Sequence, residues 1–522
     1  MQLPRLANTF LSSCLPIFHS QVTDKKHTAV SRAMEDFKID EKFRENVDEN
    51  ADAGAYVAAA TVYTAEEERR YLRRLDIRLV SLLSAIYLCS FLDRSNIGNA
   101  NTAGMSASLK LDNNKFTWLL TIFYIPYIIF EFCAFCWKIF PANYYVCAVV
   151  FFWGMISALQ AASQNWAGMM VLRFFLGMAE AAYGPGVPFF LSFFYHRYEM
   201  AFRSGLFFSS APLASAFAGA LAYGITSGHS KLQNWRLLFL VEGIPTMMMA
   251  VVALFWLPRS APEAKFFNAR EKEIAVARLA RQSGETSHKL GVNIKQIREA
   301  MLEPRSWIIA IMYFCLNVSF STLSVFMPEI IKDMGYTAVH AQGLSAPPYI
   351  VAWLAVIAAT FAAAKYHIRS ALIIPFSIVG AVGYLILALV TVTGVRYFAI
   401  YLCAVGMFTT VSVIMPWSVD NQGTDSKKGT GMFLLQIVGQ CGPLLGTHMY
   451  PSTDAPYYRT GMWVSCACLF AVTALALILR FYLQLLNHKL DKKWGTVEEQ
   501  NVEELQEVGV DREFNPTYRY IL

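Results

Sequence analysis

The sequence predicts an all-α membrane protein with twelve transmembrane helices arranged as two six-helix bundles. Three observations predict it. Hydrophobic residues make up 55% of the 522-residue chain and charged residues 16%, whereas a soluble domain carries about 25% charge. Long apolar runs follow one another, each near the ~20 residues a helix needs to cross the hydrocarbon core. They fall six and six about one sizeable polar stretch, 258–306. The charges are too few to cover several soluble domains, and a mean hydropathy of +0.38 agrees. A soluble enzyme, a disordered chain and a nucleic-acid-binding protein are thereby disfavoured. The net charge of +6, from 44 Lys and Arg against 38 Asp and Glu, fits basic cytoplasmic loops better than an anionic partner.

Each element follows in order. Residues 1–75 form a polar cytoplasmic tail, expected to be largely disordered and to turn helical at Glu66–Arg74, just before the membrane. Pro4 and Pro16 break the weakly apolar stretch at Met1–Ser20, which makes a poor signal peptide. The N-terminal bundle, 76–257, holds spans at 77–100, 116–138, 143–163, 166–194, 203–226 and 236–257. A cytoplasmic loop at 258–306 follows. The C-terminal bundle, 307–486, holds spans at 307–331, 344–364, 371–393, 396–420, 429–450 and 460–486, and a cytoplasmic tail occupies 487–522. Helices are the expected spanning form, because barrel strands would alternate polarity over ~10 residues. Basic residues before the first span and in the central loop place both termini in the cytoplasm. The basic residues of the short loops split evenly between the two sides.

Two bundles of six joined by a loop suit a carrier that rocks about a central cavity. No G-x-x-x-x-G-K-[ST] segment occurs, so the expected energy source is an ion gradient, most simply of protons. Of ten cysteines, Cys133 and Cys136 form a C-x-x-C with no His or second pair nearby. They read as small apolar residues of a lipid-embedded helix. No disulfide framework, metal site or cofactor is expected.

Ionisable residues inside spans are costly and mark function. The first half holds Asp93, Arg94, Glu131, Arg173, Glu180 and Glu242, and the second half only Asp420 and His448. At 1.5 Å per residue, Arg94 in span one and Arg173 in span four both lie about 10 Å below the outer surface. Glu180 follows Arg173 by seven residues, about two turns deeper on nearly the same face. A cavity between spans one and four would show two guanidiniums and two carboxylates to its water. An arginine holds a carboxylate through two parallel hydrogen bonds. A partly desolvated carboxylate beside it is suited to carry a coupling proton. The competing view is a neutral network that pins two helices together. Glu131 is expected to be a satisfied packing charge, Glu242 a structural residue near the outer interface, and His448 a helix-end residue. Small residues in span five (Ala211, Ala214, Ser215, Ala218, Gly219, Ala222) and span eleven (Gly439, Gly442, Gly446) predict close helix packing. Gly184-Pro185-Gly186 predicts a bend just beyond Glu180. Tyr124, Tyr349, Trp353 and Trp417 are aromatic candidates for lining a pocket.

Several segments carry a family resemblance. Leu92-Asp93-Arg94-Ser95-Asn96-Ile97-Gly98-Asn99-Ala100 and Arg173-Phe174-Phe175-Leu176-Gly177-Met178-Ala179-Glu180-Ala181 resemble the first- and fourth-helix signatures of the anion:cation symporter branch of the major facilitator superfamily. Tyr198-Glu199-Met200, Trp235-Arg236, Glu242-Gly243-Ile244-Pro245-Thr246, Pro347-Pro348-Tyr349 and Tyr450-Pro451-Ser452-Thr453-Asp454-Ala455-Pro456 add to it. They run in order through nearly the whole membrane region and are most similar to the fungal allantoate permease group. The resemblance implies proton-coupled transport of a small organic anion across the plasma membrane by a monomer. It implies proton coupling at Asp93 and Glu180. Relay and substrate binding fall to Arg94 and Arg173, with Asn96, Tyr124 and Trp417 as further candidate contacts. The loops at Trp137–Asn143 and Ala364–Arg369 depart from the superfamily's charged pattern, so the inner gate is expected to be held differently. Export of an organic-acid or secondary-metabolite product by the same fold is the alternative. A sensor would need a larger cytoplasmic domain, and a membrane enzyme would need a nucleophile or metal cluster.

Overall fold

The computed structural model describes residues 63–228, 230–285, 294–366, 368–422, 425–495 and 519–522. Most of the two tails therefore lies outside the described residues. Among the described residues, sixteen α-helices of six residues or more organise the chain. In the first half they are α1 (Ala65–Leu75), α2 (Ser81–Thr102), α3 (Asn113–Phe130), α4 (Ala142–Leu159), α5 (Trp166–Glu180), α6 (Gly186–Leu191), α7 (Arg197–Ser227) and α8 (Asn234–Trp256). The connection holds α9 (Ala269–Glu285) and α10 (Ile294–Leu302). The second half holds α11 (Pro304–Asp333), α12 (Ala338–Tyr366), α13 (Ser370–Leu389), α14 (Thr393–Asp420), α15 (Asp425–Gly446) and α16 (Arg459–Trp494).

Among the described residues, ten helices are long and apolar enough to cross a membrane. The two other predicted spans are helical in different ways. Predicted span four divides into α5 and α6 around a turn at Ala181–Pro185. Pro185 cannot donate to the ladder, and Gly186 leaves room for Trp137, whose ring a Cβ there would clash with. Predicted span eleven is α15, whose apolar run is diluted by Gln436 and Gln440. These two spans were legible as spans because their length and position complete the six-plus-six pattern.

Small residues set how closely the helices approach. A Cβ on Gly205 would stand 2.0 Å from Thr360 Cγ2, and one on Gly219 would stand 2.4 Å from Ser345 Oγ. α7 and α12 therefore pack along their length and join the two halves. A Cβ on Gly442 would meet the Phe314 carbonyl oxygen at 2.5 Å, so α15 lies equally close on α11. This is the close approach that the glycines and alanines of spans five and eleven predicted.

The two ends of the bundle differ. At the end away from α1, the halves touch directly. Thr121 and Thr447 share a hydrogen bond of 3.0 Å. Asn101 donates to Glu329 at 3.3 Å, and Gln342 donates to the Asn99 carbonyl at 3.2 Å. Trp118 meets His448 edge-on at 6.1 Å, and Phe116 meets Phe326 at 6.2 Å. His448 thus belongs to an inter-half seal. At the end carrying α1, α9 and α10, ion pairs join elements of one half. Arg203 grips Asp76 with Nε at 2.6 Å and Nη2 at 3.0 Å. Arg74 pairs with Glu271 at 2.7 Å, and Arg278 holds both Glu68 and Glu199. In the second half Arg369 pairs with Asp420 at 2.9 Å. The central loop, expected only as a polar stretch, is therefore partly helical and clamped onto α1 and α7.

Residues 519–522 dock on the same end of the second half. Asn421 accepts from the Ile521 amide at 2.8 Å and donates to its carbonyl at 3.0 Å. Asn487 reads Tyr520 in the same way, at 2.8 and 3.0 Å. The Trp417 indole donates to the Ile521 carbonyl at 2.8 Å, and the Leu522 carbonyl accepts from the Arg369 amide at 2.8 Å. Replacing Asn421 with Ala removes two of these bonds, each with a net contribution of about 1 kcal/mol. Amide hydrogen exchange at Ile521 is expected to accelerate about tenfold or more. Exchange at the wild-type rate would show that the segment is held elsewhere.

Candidate functional site

Between the halves, on the α1 side of the seal, lies a cavity with about 680 Å³ of empty space, its open mouth included. The first half lines it with Tyr87, Phe91, Arg94 and Ser95 of α2, Tyr124 and Tyr127 of α3, Gly184 and Phe208. The second half adds Tyr313, Asn317, Phe320, Ser321, Ser324 and Val325 of α11, Val411 and Met415 of α14, and Gln436, Gln440 and Pro443 of α15. One wall carries a guanidinium. The opposite wall offers neutral amides, and aromatic rings fill most of the rest.

The charged wall is built by the break in span four. α5 ends at Glu180, one turn before Gly184 reaches the cavity. There Glu180 Oε2 accepts Arg94 Nε at 3.2 Å, Arg94 Nη2 at 3.0 Å and Ser90 Oγ at 3.1 Å. The other Glu180 oxygen has no partner. The Arg94 side chain is 16% exposed and that of Glu180 fully buried, so Arg94 is the member of the pair that solvent reaches. Its guanidinium also lies 4.8 Å from the Tyr127 ring centre and 5.0 Å from that of Phe123. The rings fix its plane and favour its charge.

The predicted residues separate into two groups. Arg94 and Tyr124 line the cavity, and Glu180 reaches it through Arg94. Asp93 and Arg173 stand behind α2 instead. Consecutive helical side chains point about 100° apart, so Asp93 and Arg94 cannot share a face. Asp93 accepts Ser157 Oγ at 2.6 Å and Thr246 Oγ1 at 3.0 Å. Arg173 is 1% exposed and directs Nη1 at the Arg94 carbonyl, 3.5 Å away. The expected single cluster of two arginines and two acids is thus a cavity pair and a buried pair. Asn96 is fully buried, has no side-chain partner and does not line the cavity. Trp417 also lies off the lining, because its indole serves the docked 519–522 segment. Glu242 is 4% exposed with neither oxygen partnered. Glu131 is 3% exposed and equally unpartnered, so it is not a satisfied packing charge.

Sequence reasoning missed several site residues. Ser90, which donates to Glu180, and Tyr87, which lines the cavity, lie one and two turns before Arg94, and Tyr127 lies one turn after Tyr124. Helical spacing from the charged residues would have found them. Gln436 and Gln440, four apart in an apolar span, carried the same signal from the second half.

Comparisons with known proteins agree with this architecture. The sequence profile of the Major Facilitator Superfamily matches residues 83–447. The chain belongs to that superfamily. It is 31% identical over 459 residues to "MFS transporter prlL" of Fungal sp. (strain NRRL 50135), across 85% of this chain and 92% of that one. It is 29% identical to "Major facilitator-type transporter hxnP" of Emericella nidulans, across 88% and 94%. Among solved structures, a bacterial homologue of the human lysosomal transporter Spinster, inward-facing and unoccupied, aligns with a TM-score of 0.58 at 15% identity, covering 77% of this chain and 96% of that one. The proton:xylose symporter XylE aligns with a TM-score of 0.60 at 13% identity, over 79% and 95%. The structural likenesses show the fold. The family and the sequence relatives support a multi-pass membrane transporter of a small molecule.

Proposed function

We propose that this transporter is a proton-coupled symporter of a small organic anion, a carboxylate attached to a flat or ring-shaped body. It works as a monomer in the plasma membrane with both termini in the cytoplasm. The observation that carries this reading is the Arg94–Glu180 pair at the cavity wall, with Arg94 partly exposed and Glu180 buried. An ionised Glu180 holds two Arg94 donors. Protonating Glu180 removes its charge and frees those donors. A substrate carboxylate then takes the same two bonds, so the anion and the proton enter together and the buried charge stays balanced. The rings of Tyr87, Phe91, Tyr124 and Tyr127 suit a planar body.

A panel of radiolabelled aromatic and aliphatic carboxylates, offered at several external pH values to a transport-deficient host, tests this. Uptake of at least one ring-bearing acid should rise as the external pH falls. Efflux from loaded cells, measured in parallel, separates import from export. Arg94→Lys should raise KM about ten- to a hundredfold, because a single ammonium cannot copy the fork and charged hydrogen bonds contribute about 1.5–3 kcal/mol. Uptake that ignores pH for every acid would overturn the coupling. A wild-type KM in Arg94→Lys would overturn the anion site.

A further inference from the structure

The hydrogen bonds already made on the second-half wall of the cavity fix what that wall can offer a substrate. Asn317 of α11 donates an amide N–H to the Gly439 carbonyl at 3.2 Å, which orients the amide and commits one of its two N–H groups. One turn further, Ser321 donates its hydroxyl to the Val318 carbonyl at 3.4 Å, and Ser324 donates to the Phe320 carbonyl at 2.9 Å. A serine has one proton to give, so both oxygens are left as acceptors. Gln436 of α15 lines the same cavity, is 4% exposed, and has no partner for Oε1. A buried amide oxygen without a donor is costly. Gln440 and the Tyr313 hydroxyl can give or take.

The first-half wall has the opposite character. Arg94 carries donors only, and two of them meet Glu180. One wall of the cavity therefore gives hydrogen bonds, and the other is short of them. A molecule complementary to both carries an acceptor at one end and a donor at the other. An apolar far end would leave Gln436 Oε1 unpaired with water driven out. A second carboxylate there would set its oxygens against those of Asn317, Ser321, Ser324 and Gln436. An amine, an amide N–H or a hydroxyl meets the need.

We infer that Gln436, with Asn317, Ser321 and Ser324 on the same wall, forms a subsite for a hydrogen-bond donor. The preferred substrate is then an organic acid that bears an N–H or O–H group on the part of its body remote from the carboxylate. Gln436 is the specificity-determining residue, because its orphan oxygen gains a partner only when such a group arrives. The close packing of α15 on α11 holds the four side chains as one surface. The inference rests on the reading of Arg94 as the carboxylate site, and it narrows that reading from any ring-bearing acid to one with a donor at its far end.

Thermal unfolding of the purified full chain in lipid nanodiscs tests it, with one- and two-ring aromatic carboxylates as probes. Each acid is offered in three forms: with a hydroxyl or primary amine remote from the carboxylate, with that group methylated so that it no longer donates, and unsubstituted. With wild type, the donor form should stabilise the fold at a concentration roughly tenfold or more below the other two. Gln436→Leu keeps the volume and removes the acceptor, so that preference should vanish. Gln436→Glu keeps an acceptor, adds a charge and should favour the amine over the hydroxyl, which separates the two donor chemistries. Arg94→Lys should weaken all three forms together and leave their ranking in place. Where Gln436→Leu fails to elute as folded protein, Gln436→Met carries the same test. Donor and methylated forms that bind wild type alike would overturn the inference and leave the carboxylate reading standing. A preference that survives the loss of Gln436 in folded protein would overturn it too. If no acid of any form stabilises the chain, the carboxylate reading fails and the inference falls with it.

Discussion

Glu180→Gln is expected to abolish accumulation against a gradient while leaving anion binding intact. The amide mimics the protonated acid in shape and charge but cannot release a proton. Arg94 loses its anionic partner and keeps its two rings and its exposure to the cavity. An organic carboxylate then meets no competitor, so its affinity should lose its dependence on pH. Uptake into proteoliposomes under an imposed pH gradient should fall from severalfold accumulation to simple equilibration. Exchange of labelled for unlabelled anion, which needs no net proton movement, should continue. Removing one partner of a buried pair typically costs about 3–5 kcal/mol, so the empty variant should also unfold at a lower temperature, and the anion should restore the loss. Undiminished accumulation in this variant would remove Glu180 from the coupling step.

Much of this arrangement is legible in the sequence, for reasons that particular residues make plain. Apolar run length predicts the spans because lipid demands length and apolarity. The fourth is predicted in the same way, and Gly184-Pro185-Gly186 adds the bend at which the structure divides it. Arg94, Arg173, Asp93 and Glu180 stand out because charge inside lipid is expensive. Depth arithmetic places them at neighbouring levels but says nothing of azimuth. The step from Asp93 to Arg94 therefore divides one expected cluster into a wet pair and a sealed one. Trp417 misleads for another reason. Its partner, Ile521, lies 104 residues away, a contact no local pattern encodes. Gln436 and Gln440, four apart in an apolar span, mark one polar face in the sequence, but what that face looks onto is visible only when α15 is laid against α11.

The division of labour between the halves follows from the same chemistry. The first half contributes Arg94 and Glu180 to the site, and the second contributes Asn317, Gln436 and Gln440. On the proposed reading, a carboxylate held on the first half leaves the rest of the substrate to be read by neutral amides on the second. The halves can then separate without parting an ion pair at the cavity, which would carry a large electrostatic cost in a low-dielectric setting. At the α1 end, the pairs Arg203–Asp76 and Arg369–Asp420 likewise each sit within one half. Neither has to break when the halves move apart.

The seal is where a single atom should do most. A Cβ on Gly98 would stand 2.1 Å from the Val325 carbonyl oxygen and 3.0 Å from its carbon. Both are backbone atoms, so no side-chain rotation relieves the clash. Gly98→Leu should therefore hold α2 and α11 apart and favour the state in which the far end is open. Thr121 is 5% exposed in this seal. A cysteine placed there by Thr121→Cys, followed by peptide-resolved mass spectrometry, should be alkylated at least tenfold faster in the Gly98→Leu background. A tenfold change corresponds to about 1.4 kcal/mol of population shift. Transport should fall to background, because a carrier held in one state cannot cycle. Gly98→Ala, with the smaller wedge, should show both effects in weaker form. Unchanged alkylation together with wild-type transport would mean that the halves do not close on Gly98. The effect should reach the site as well. Gly98 is one turn from Arg94 on α2, so the displacement that opens the seal also shifts the guanidinium against Glu180. A reagent that reports the seal and an anion that reports Arg94 should then respond to the same substitution in parallel.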